Sequence, residues 1–257
     1  MSHPKPSPSI TLHRGFPATR NHVWSPFVNK LELRLRLDKT PYTLAVGTPR
    51  QAPLGKIPYI STSLCSEKLL GDTTLITKHL IDSEILTELN ANLTPAKKAQ
   101  DLAVRSLLED KLYFYLVRER WMDNYYVMRD GVLGGIPFPL RVVVGNLAYR
   151  SVKSALWGQG TGRYTEQEVR RMREEVWEGL SGLLAEVRRE GDRPFWVLGG
   201  DEPTEADATV YGFVVGGLIC SAGPETQKTV RSFPILVEYA RRIREAYFSD
   251  YDLWEKA

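Results

Sequence analysis

A serine–proline pair stands at the head of a long run of alternating apolar and charged residues, in the segment WSPFVNKLELRLRLDK (24–39). Serine commonly caps a helix and proline suits the first helical turn, so Ser25 and Pro26 fit a helix start. The spacing also matches a Cys-x-x-Cys turn in which Ser25 and Val28 replace both sulfur atoms, so thiol–disulfide exchange through this turn is excluded. The hydroxyl group of Ser25 therefore has two candidate roles. It caps its own helix, or it donates a hydrogen bond to a sulfur anion brought by another molecule.

The bulk composition is that of a globular chain and excludes several classes of partner. The 34 Lys and Arg residues and the 31 Asp and Glu residues give a formal net charge of +3, and the basic residues are spread along the chain, so no nucleic acid partner is predicted. The two cysteines, Cys65 and Cys220, form no disulfide framework, which is typical of a reducing, cytoplasmic compartment. No metal is predicted, because zinc-ligand spacing is absent from the four histidines: His3, His13, His22 and His79.

The two segments that most resemble targeting signals do not fit them. The first residues, MSHPKPSPS (1–9), are rich in Pro and Ser and lack an apolar signal core, so they predict a disordered tail. The most apolar stretch, YGFVVGGLICSAG (211–223), is shorter than the roughly 18–20 residues that cross a bilayer. A buried helix is expected there, and no membrane span is predicted.

The first third of the sequence predicts an α/β unit with one undecided segment. In chain order it shows strand patterns at 10–16, 41–47, 55–62 and 67–71, followed by a helix pattern at 72–81. Between the first two strands, leucines alternate with charged residues over 31–37, which favours a half-buried strand. The Ser-Pro start favours instead a helix with two apolar faces, sandwiched between a sheet and another layer. The local pattern supports both interpretations equally.

From about residue 84 onwards every pattern is helical. A helix start stands at 94–95, and two capping boxes are predicted, one pairing Thr165 with Glu168 and the other pairing Thr204 with Asp207. The glycine-rich stretch GQGTGRY follows one predicted helix and precedes another, and it lacks the Lys-Ser/Thr of a phosphate-binding loop. It therefore predicts a turn between two helices.

Five segments together resemble the glutathione transferase-like superfamily: SPFVNKLELRLRL, GKIPYI, GDTTLITKHL, GQGTGRYTEQEV and PTEADATVYGFV. The sequence looks most similar to the branch that contains failed axon connections proteins, metaxins and cadmium-inducible lysosomal proteins. The resemblance implies a thioredoxin-like α/β domain of βαβ-ββα order at 10–84, packed on an all-helical domain at 94–257. It also implies that 25–39 is a helix and that two copies of the chain form a homodimer.

The resemblance implies that glutathione is a co-substrate and gives Ser25 a catalytic role at its sulfur. A helix N-terminus offers free backbone N–H groups and about half a positive charge, which stabilise an anion. A free thiol with a pKa of about 8.5 is mostly protonated at neutral pH, and lowering that pKa by two units requires about 2.7 kcal/mol. A hydroxyl hydrogen bond to a charged acceptor supplies roughly 1.5–3 kcal/mol and the helix dipole about 0.3–1 kcal/mol, which together meet this requirement.

Two further motifs have implied glutathione-binding roles. By the resemblance, Pro58 is cis, the backbone of Ile57 pairs with the cysteinyl part of the tripeptide, and Lys56 meets the glycine carboxylate. Asp72 and Thr73 stand where similar proteins bind the γ-glutamyl ammonium and carboxylate at a helix start. The residues themselves also fit simpler roles, since Lys56 suits a solvated loop and Asp72 suits an N-cap.

The resemblance implies a glutathione-dependent transferase or isomerase whose small apolar electrophile lies between the two domains. Aromatic and charged residues of the first and third helices are the pocket candidates, although an aromatic stripe also fits a helix core: Phe27, Tyr113, Arg120, Trp121 and Tyr125. Two alternatives stay open. One is a non-catalytic, metaxin-like binding or scaffold protein, and the other is a natural-product enzyme that uses the interdomain cleft without glutathione.

Overall fold

The computed structural model describes residues 9–63 and 69–254, and the amino-terminal part of these residues forms a four-stranded sheet. The strands are β1 (Ile10–His13), β2 (Thr43–Ala45), β3 (Tyr59–Thr62) and β4 (Leu69–Gly71). Their order is β2-β1-β3-β4, with β1 and β2 parallel and the other two pairs antiparallel. Because parallel neighbours need a crossover connection, the chain between β1 and β2 has to cross one face of the sheet.

The segment that the local pattern left undecided is this crossover, and it is a helix, α1 (Pro26–Leu37). Its leucines divide between two cores, since Leu31 and Leu35 pack beneath the sheet while Leu33 packs in the core of the helical part. On a strand, residues two apart share one face, so a strand could not serve both cores. The strand interpretation is wrong, and the helix implied by the resemblance is confirmed.

The charged side chains between these leucines are paired with residues on both sides of α1. The shortest charged-atom distances are 3.5 Å for Arg14–Glu32, 2.6 Å for Lys30–Glu109, 2.7 Å for Arg34–Glu205 and 2.5 Å for Arg36–Asp250. Burial raises the pKa of Glu32, which also accepts a hydrogen bond of 2.7 Å from the Tyr251 hydroxyl. Since removing one partner of a buried pair leaves an uncompensated charge, these pairs hold α1 between its two layers.

The chain leaves β4 through α2 (Thr73–Asp82) and is helical from Pro95 onwards. The first helical stretch is interrupted twice by π-helical turns; it comprises α3 (Pro95–Ser106), the first π turn (Leu107–Leu112), α4 (Tyr113–Arg118), the second π turn (Glu119–Asp123) and α5 (Tyr125–Leu133). The remaining helices are α6 (Leu140–Gln159), α7 (Glu166–Val187), α8 (Glu205–Ile219), α9 (Pro224–Ser232) and α10 (Pro234–Tyr247). A short 3₁₀ turn joins α6 to α7, which confirms the interhelical turn predicted at the glycine-rich stretch.

Helix α8 lies in the centre of the helical part, because all its residues from 206 to 218 are buried. The predicted capping box is present at its start, where Asp207 accepts hydrogen bonds from the backbone and hydroxyl of Thr204 at 2.8 and 3.0 Å. Asp207 also accepts from the Val197 N–H at 2.7 Å and the Tyr239 hydroxyl at 2.9 Å. Complete burial raises the pKa of Asp207 to about 6. The carboxyl group thus ties the start of α8 to two other parts of the helical layer.

Two glycines let α8 touch the backbone of α1. A Cβ atom added at Gly212 would overlap the carbonyl oxygen of Pro26 and lie 2.8 Å from the backbone nitrogen of Lys30. A Cβ atom added at Gly216 would lie 3.3 Å from the carbonyl oxygen of Trp24. The first turn of α1 is therefore seated directly on α8, which sets its position relative to the helical part.

Some predictions fall on parts that the structure does not describe. The predicted tail, 1–9, lies outside the described residues except for Ser9, whose N–H donates to the Ser63 hydroxyl at 3.3 Å; Cys65 also lies outside them. The domain limits at 10–84 and 94–257 stay a prediction. In the described part of the chain no single helix has the length and hydropathy of a membrane span; α8 and α9 together do, and they are bent by 117°.

Candidate functional site

The three predicted glutathione-binding motifs meet at one end of the sheet. In the antiparallel register, Tyr59 of β3 lies opposite His13 of β1 and opposite Gly71 of β4. Pro58, just before Tyr59, and Asp72, just after Gly71, are therefore neighbours beyond the same end of the sheet. Helix α1 also begins at this end, because it follows β1 and has to run back along the sheet to reach the parallel strand β2.

Ser25 is the N-cap of α1, and its geometry permits both of its predicted roles. Its Oγ accepts a long hydrogen bond of 3.4 Å from the backbone N–H of Val28. In this cap the oxygen acts only as an acceptor, so the hydroxyl proton is left for another partner. The side chain is half-buried and therefore retains access from one side. Capping the helix and donating to an anion beyond it are compatible.

Two buried side chains that the sequence did not single out hold the loop that carries Ser25. The side-chain amide of Asn29 makes two hydrogen bonds with the backbone of Val23, accepting from its N–H at 3.1 Å and donating to its carbonyl at 2.8 Å. Arg14, at the end of β1, donates to the carbonyl of Thr19 at 2.7 Å. These bonds fix the path of the chain from the sheet to the helix start. No local pattern around either residue signals this role.

The peptide bond between Ile57 and Pro58 is cis, which confirms that prediction. Pro58 is buried, Ile57 is half-buried and Lys56 is exposed. Gly15, in the loop after β1, has a φ of 72°, and a Cβ atom added there would lie 3.1 Å from the Ile57 side chain. Ile57 therefore packs against the loop that leads to Ser25. The ligand-binding roles of Lys56, Ile57 and Pro58 stay predictions.

Asp72 caps α2, because its Oδ1 accepts hydrogen bonds from the N–H groups of Thr74 at 2.9 Å and Leu75 at 3.2 Å. Its φ is 67°, a left-handed conformation that is uncommon outside glycine and whose strain is concentrated at functional sites. Thr73, the first residue of the helix, is buried. A carboxylate and a helix N-terminus thus stand together beside Pro58. Such a pair suits a ligand that carries both an ammonium and a carboxylate.

The predicted pocket residues form two separate aromatic groups. Phe27 and Tyr113 are in edge contact with ring centroids 5.1 Å apart, and Phe27 also contacts Phe213 at 5.8 Å. Burial raises the pKa of Tyr113. Trp121 and Tyr125 lie 6.5 Å apart and make the second group. The first group is close to the helix start, because Phe27 belongs to the first turn of α1, and the pocket-lining role of both groups stays a prediction.

Arg120 occupies a place that the sequence did not assign to it. The side chain is only 5% exposed and lies in the second π turn. Its guanidinium donates to the carbonyl of Trp24 at 3.0 Å and to the carbonyl of Gly216 at 3.3 Å. Arg120 therefore joins α8 to the residue directly before Ser25. This contact brings together three segments that are far apart in the sequence, so only the tertiary structure shows it.

Two open cavities lie away from this end of the sheet. One, of about 650 Å³, lies beside Arg36 and Tyr42 at the far end of α1. The other, of similar volume, lies beside Tyr149 and Trp157 of α6. Neither is lined by Ser25 or by the motifs around it. Among the described residues, no three side chains of the metal-ligating types gather.

Comparisons with known proteins agree with this fold. Residues 26–126 match the family described as glutathione S-transferase N-terminal domain. A solved glutathione transferase from Phanerochaete chrysosporium has the same fold, with a TM-score of 0.58 at 15% identity over 93% of this chain and 98% of that one. The match over residues 26–126 and the likeness in fold show a chain that is similar to the glutathione transferase-like superfamily, with a thioredoxin-like amino-terminal part and an all-helical remainder. The resemblance seen in the sequence is confirmed.

Individual relatives fall into two groups. Isoprene-epoxide–glutathione S-transferase of Rhodococcus sp. (strain AD45) is 28% identical over 251 residues, which cover 93% of this chain and 99% of that protein. Human metaxin-1 is 27% identical over 212 residues, which cover 79% of this chain and 43% of metaxin-1. Mouse metaxin-2 is 25% identical over 206 residues, which cover 78% of this chain and 73% of that protein. The chain thus resembles an enzyme over 93% of its length and spans less than half of human metaxin-1.

Proposed function

We propose that this chain is a glutathione transferase that joins the sulfur of glutathione to a small apolar electrophile. The observation that carries the proposal is the meeting, at one end of the sheet, of the Ser25 hydroxyl, the cis turn at Pro58 and the strained cap at Asp72. The similarity along 93% of the chain to an isoprene-epoxide transferase supports it. A small alkene epoxide is therefore the electrophile to test first.

Each end of the tripeptide has a chemically suitable partner in the proposed complex. The γ-glutamyl carboxylate binds the N–H and the hydroxyl of Thr73 at the start of α2, while its ammonium group pairs with Asp72. The main chain of the cysteinyl residue pairs with the backbone of Ile57 in an extended conformation. The glycine carboxylate meets the ammonium group of Lys56. The thiol then lies at the start of α1, beside Ser25.

The proposed reaction needs a thiolate before the carbon–sulfur bond forms. The thiol releases its proton to solvent, and the Ser25 hydroxyl donates a hydrogen bond to the sulfur anion that remains. A sulfur lone pair attacks a ring carbon of the epoxide, the carbon–oxygen bond breaks, and the released oxygen takes a proton from water. Ser25 contributes most of the stabilisation, since its hydrogen bond is worth roughly 1.5–3 kcal/mol against about 0.3–1 kcal/mol for the helix dipole.

Calorimetry and ultraviolet absorbance together test the proposal. We expect glutathione to bind the wild-type chain and to show thiolate absorbance near neutral pH. The Ser25→Ala variant keeps the backbone N–H groups but loses the hydroxyl donor, so the pKa of the bound thiol rises by about 1–2 units and the conjugation rate falls about tenfold or more. Ser154→Ala, at an exposed position on α6, is the matched control and leaves the pKa of the bound thiol and the conjugation rate unchanged. Absence of binding heat at millimolar glutathione would refute the proposal.

The second candidate is a non-catalytic binding protein, which the similarity to metaxins over 79% of the chain favours. The exposed apolar stripe of Leu140, Val143 and Leu147 on α6 offers a surface for another chain, and we propose a homodimer through it. The discriminating result is glutathione binding without thiolate absorbance and without product formation from the epoxide. That result would favour the binding protein over the transferase.

A further inference from the structure

Two neighbouring charges in the second π turn are both buried, but only one is compensated. The carboxylate of Glu119 accepts from the Arg173 guanidinium at 2.8 Å and from the Thr226 N–H at 3.0 Å. Arg120 has no carboxylate within ion-pair distance among the described residues, and its Nε has no hydrogen-bond partner there. A buried charge is costly unless it is paired. Two carbonyl oxygens hold the guanidinium in place without neutralising it, so its positive charge remains available to an anion nearby.

The guanidinium of Arg120 lies directly behind the start of α1. Its Nη1 is 3.0 Å from the carbonyl oxygen of Trp24, the residue before Ser25. Backbone dimensions then place the charge within about 8 Å of the Ser25 hydroxyl. Helix α1 has 12 residues, and the positive end of its dipole lies at the same point. The field of the cation and the field of the helix add just beyond Ser25.

Arg120 reaches the start of α1 from a π-helical turn. On a regular α-helix, side chains of adjacent residues point about 100° apart, so both are buried only where other elements surround the helix, as they do at α8. Within the second π turn, Glu119 and Arg120 are 2% and 5% exposed, and they contact different helices. Such turns are rare inside α-helices and are found frequently at functional sites. Here the turn brings a buried cation to the end of another helix.

We propose that Arg120 is a positioning residue that stabilises a thiolate held at Ser25, with its charge acting through the Trp24 turn. The proposal rests on the function proposed above and names a second source of thiol activation besides the serine hydroxyl. The anion it fits is a sulfur anion, because the site is half-buried and the serine presents a single hydrogen-bond donor. Arg120 also keeps the turn seated on α8 through Gly216.

The other titratable groups around Arg120 leave this field positive. Burial raises the pKa of the Tyr113 phenol and of the Cys220 thiol, so both groups are neutral at physiological pH. On α1, the charge of Lys30 is neutralised by Glu109 at 2.6 Å. The bound thiolate would therefore be the counter-ion that Arg120 lacks.

A cysteine placed at the helix start reports this field without glutathione. The reporter is Ser25→Cys in a Cys65→Ser background, since the remaining Cys220 is fully buried. The pKa of its thiol is measured from the pH dependence of alkylation by iodoacetamide. We expect a pKa between about 6 and 7 instead of about 8.5, because the dipole lowers it by less than one unit and a cation at about 8 Å by about one and a half more.

Substitutions of Arg120 separate its charge from its structural role. In the reporter background, Arg120→Gln removes the cation and raises the thiol pKa by about one unit or more, whereas Arg120→Lys keeps the charge and restores most of the lowering. Arg118→Gln is the matched control, because Arg118 lies on the same stretch and donates to the Tyr164 carbonyl away from the site. We expect it to leave the thiol pKa unchanged.

The outcomes distinguish this inference from the function on which it rests. A reporter thiol pKa of about 8 or above overturns the role of Arg120, even if Arg120→Gln does not fold. An unchanged pKa in a folded Arg120→Gln variant overturns it as well. A lowered, Arg120-dependent pKa in a chain that binds no glutathione overturns the proposed transferase but supports Arg120 as the residue that stabilises the anion.

Discussion

The contact between α1 and α8 leads to the sharpest stability prediction, which concerns Gly212→Ala. The added methyl group would overlap the carbonyl oxygen of Pro26 and lie 2.8 Å from the backbone nitrogen of Lys30, so neither neighbour can move without moving α1. Because α1 starts at Ser25, its displacement also moves the hydroxyl away from the cis turn at Pro58. One methyl group on α8 therefore affects both stability and the candidate site.

The size of the effect follows from two opposing contributions. Overpacking a close contact costs about 1–3 kcal/mol, and the upper end applies here because the overlapping atoms belong to the backbone. Replacing glycine by alanine inside a helix gains up to about 1 kcal/mol. The net loss in free energy of unfolding is about 2 kcal/mol, which for a chain of this length lowers Tm by about 5 °C.

Two other glycines supply matched controls measured by the same urea and thermal unfolding. At Gly179, on the exposed side of α7, an added Cβ meets nothing within 4 Å, so Gly179→Ala keeps or raises stability. At Gly216 the nearest atom to an added Cβ is 3.3 Å away, so the stability of Gly216→Ala is expected to lie between those of Gly212→Ala and Gly179→Ala. If Gly212→Ala unfolds at the same temperature as Gly179→Ala, the proposed contact between α1 and α8 is wrong.

Three further predictions follow from other parts of the molecule. Burial lowers the pKa of His22 to about 3, so the folded state keeps this imidazole neutral and loses up to roughly 4–5 kcal/mol of stability as the pH falls from about 6.5 towards 3. The double variant His22→Phe, Tyr211→Phe removes both partners of the His22–Tyr211 hydrogen bond of 2.7 Å. Its urea midpoints should therefore change less with pH across that range than those of the wild type. Glu119→Gln leaves the buried Arg173 without its counter-ion and should cost about 3 kcal/mol in urea unfolding, a loss that an unchanged midpoint would contradict. Leu147→Glu places a charge in the exposed stripe on α6, so light scattering should detect monomers in place of dimers, and an unaltered dimer mass would place the interface elsewhere.

Local signals predicted much of the fold because they act between residues close in the chain. The caps at Thr94 and Thr165 and the box at Thr204 are present where the sequence placed them, since a capping side chain binds N–H groups within three residues of itself. The short strands were also found, and β1, β2 and β3 are shorter than the sequence predicted. The order of elements, together with the motifs in them, was sufficient to identify the superfamily.

The conformation of the α1 segment could not be derived from its own pattern. Its leucines alternate like those of a half-buried strand, and a sequence read alone does not show how many layers a segment touches. In the structure α1 has the sheet on one side and α8 on the other, so Leu31 and Leu33 enter different cores. The charged residues of α1 find ion-pair partners as distant in sequence as Asp250, which pairs with Arg36. Packing against both layers is therefore what makes this segment a helix rather than a strand.

By itself the sequence determined the helix ends, the strand positions and, through the resemblance, the serine, the cis proline and the acidic cap of the candidate site. Tertiary structure decided that these three meet at one end of the sheet, and that Arg120 stands behind them. The carbonyl that Arg120 binds belongs to Trp24, 96 positions away in the chain. The hydrogen-bond partners of a buried side chain are the groups that the fold brings within about 3 Å, and hydrophobic periodicity carries no information about them.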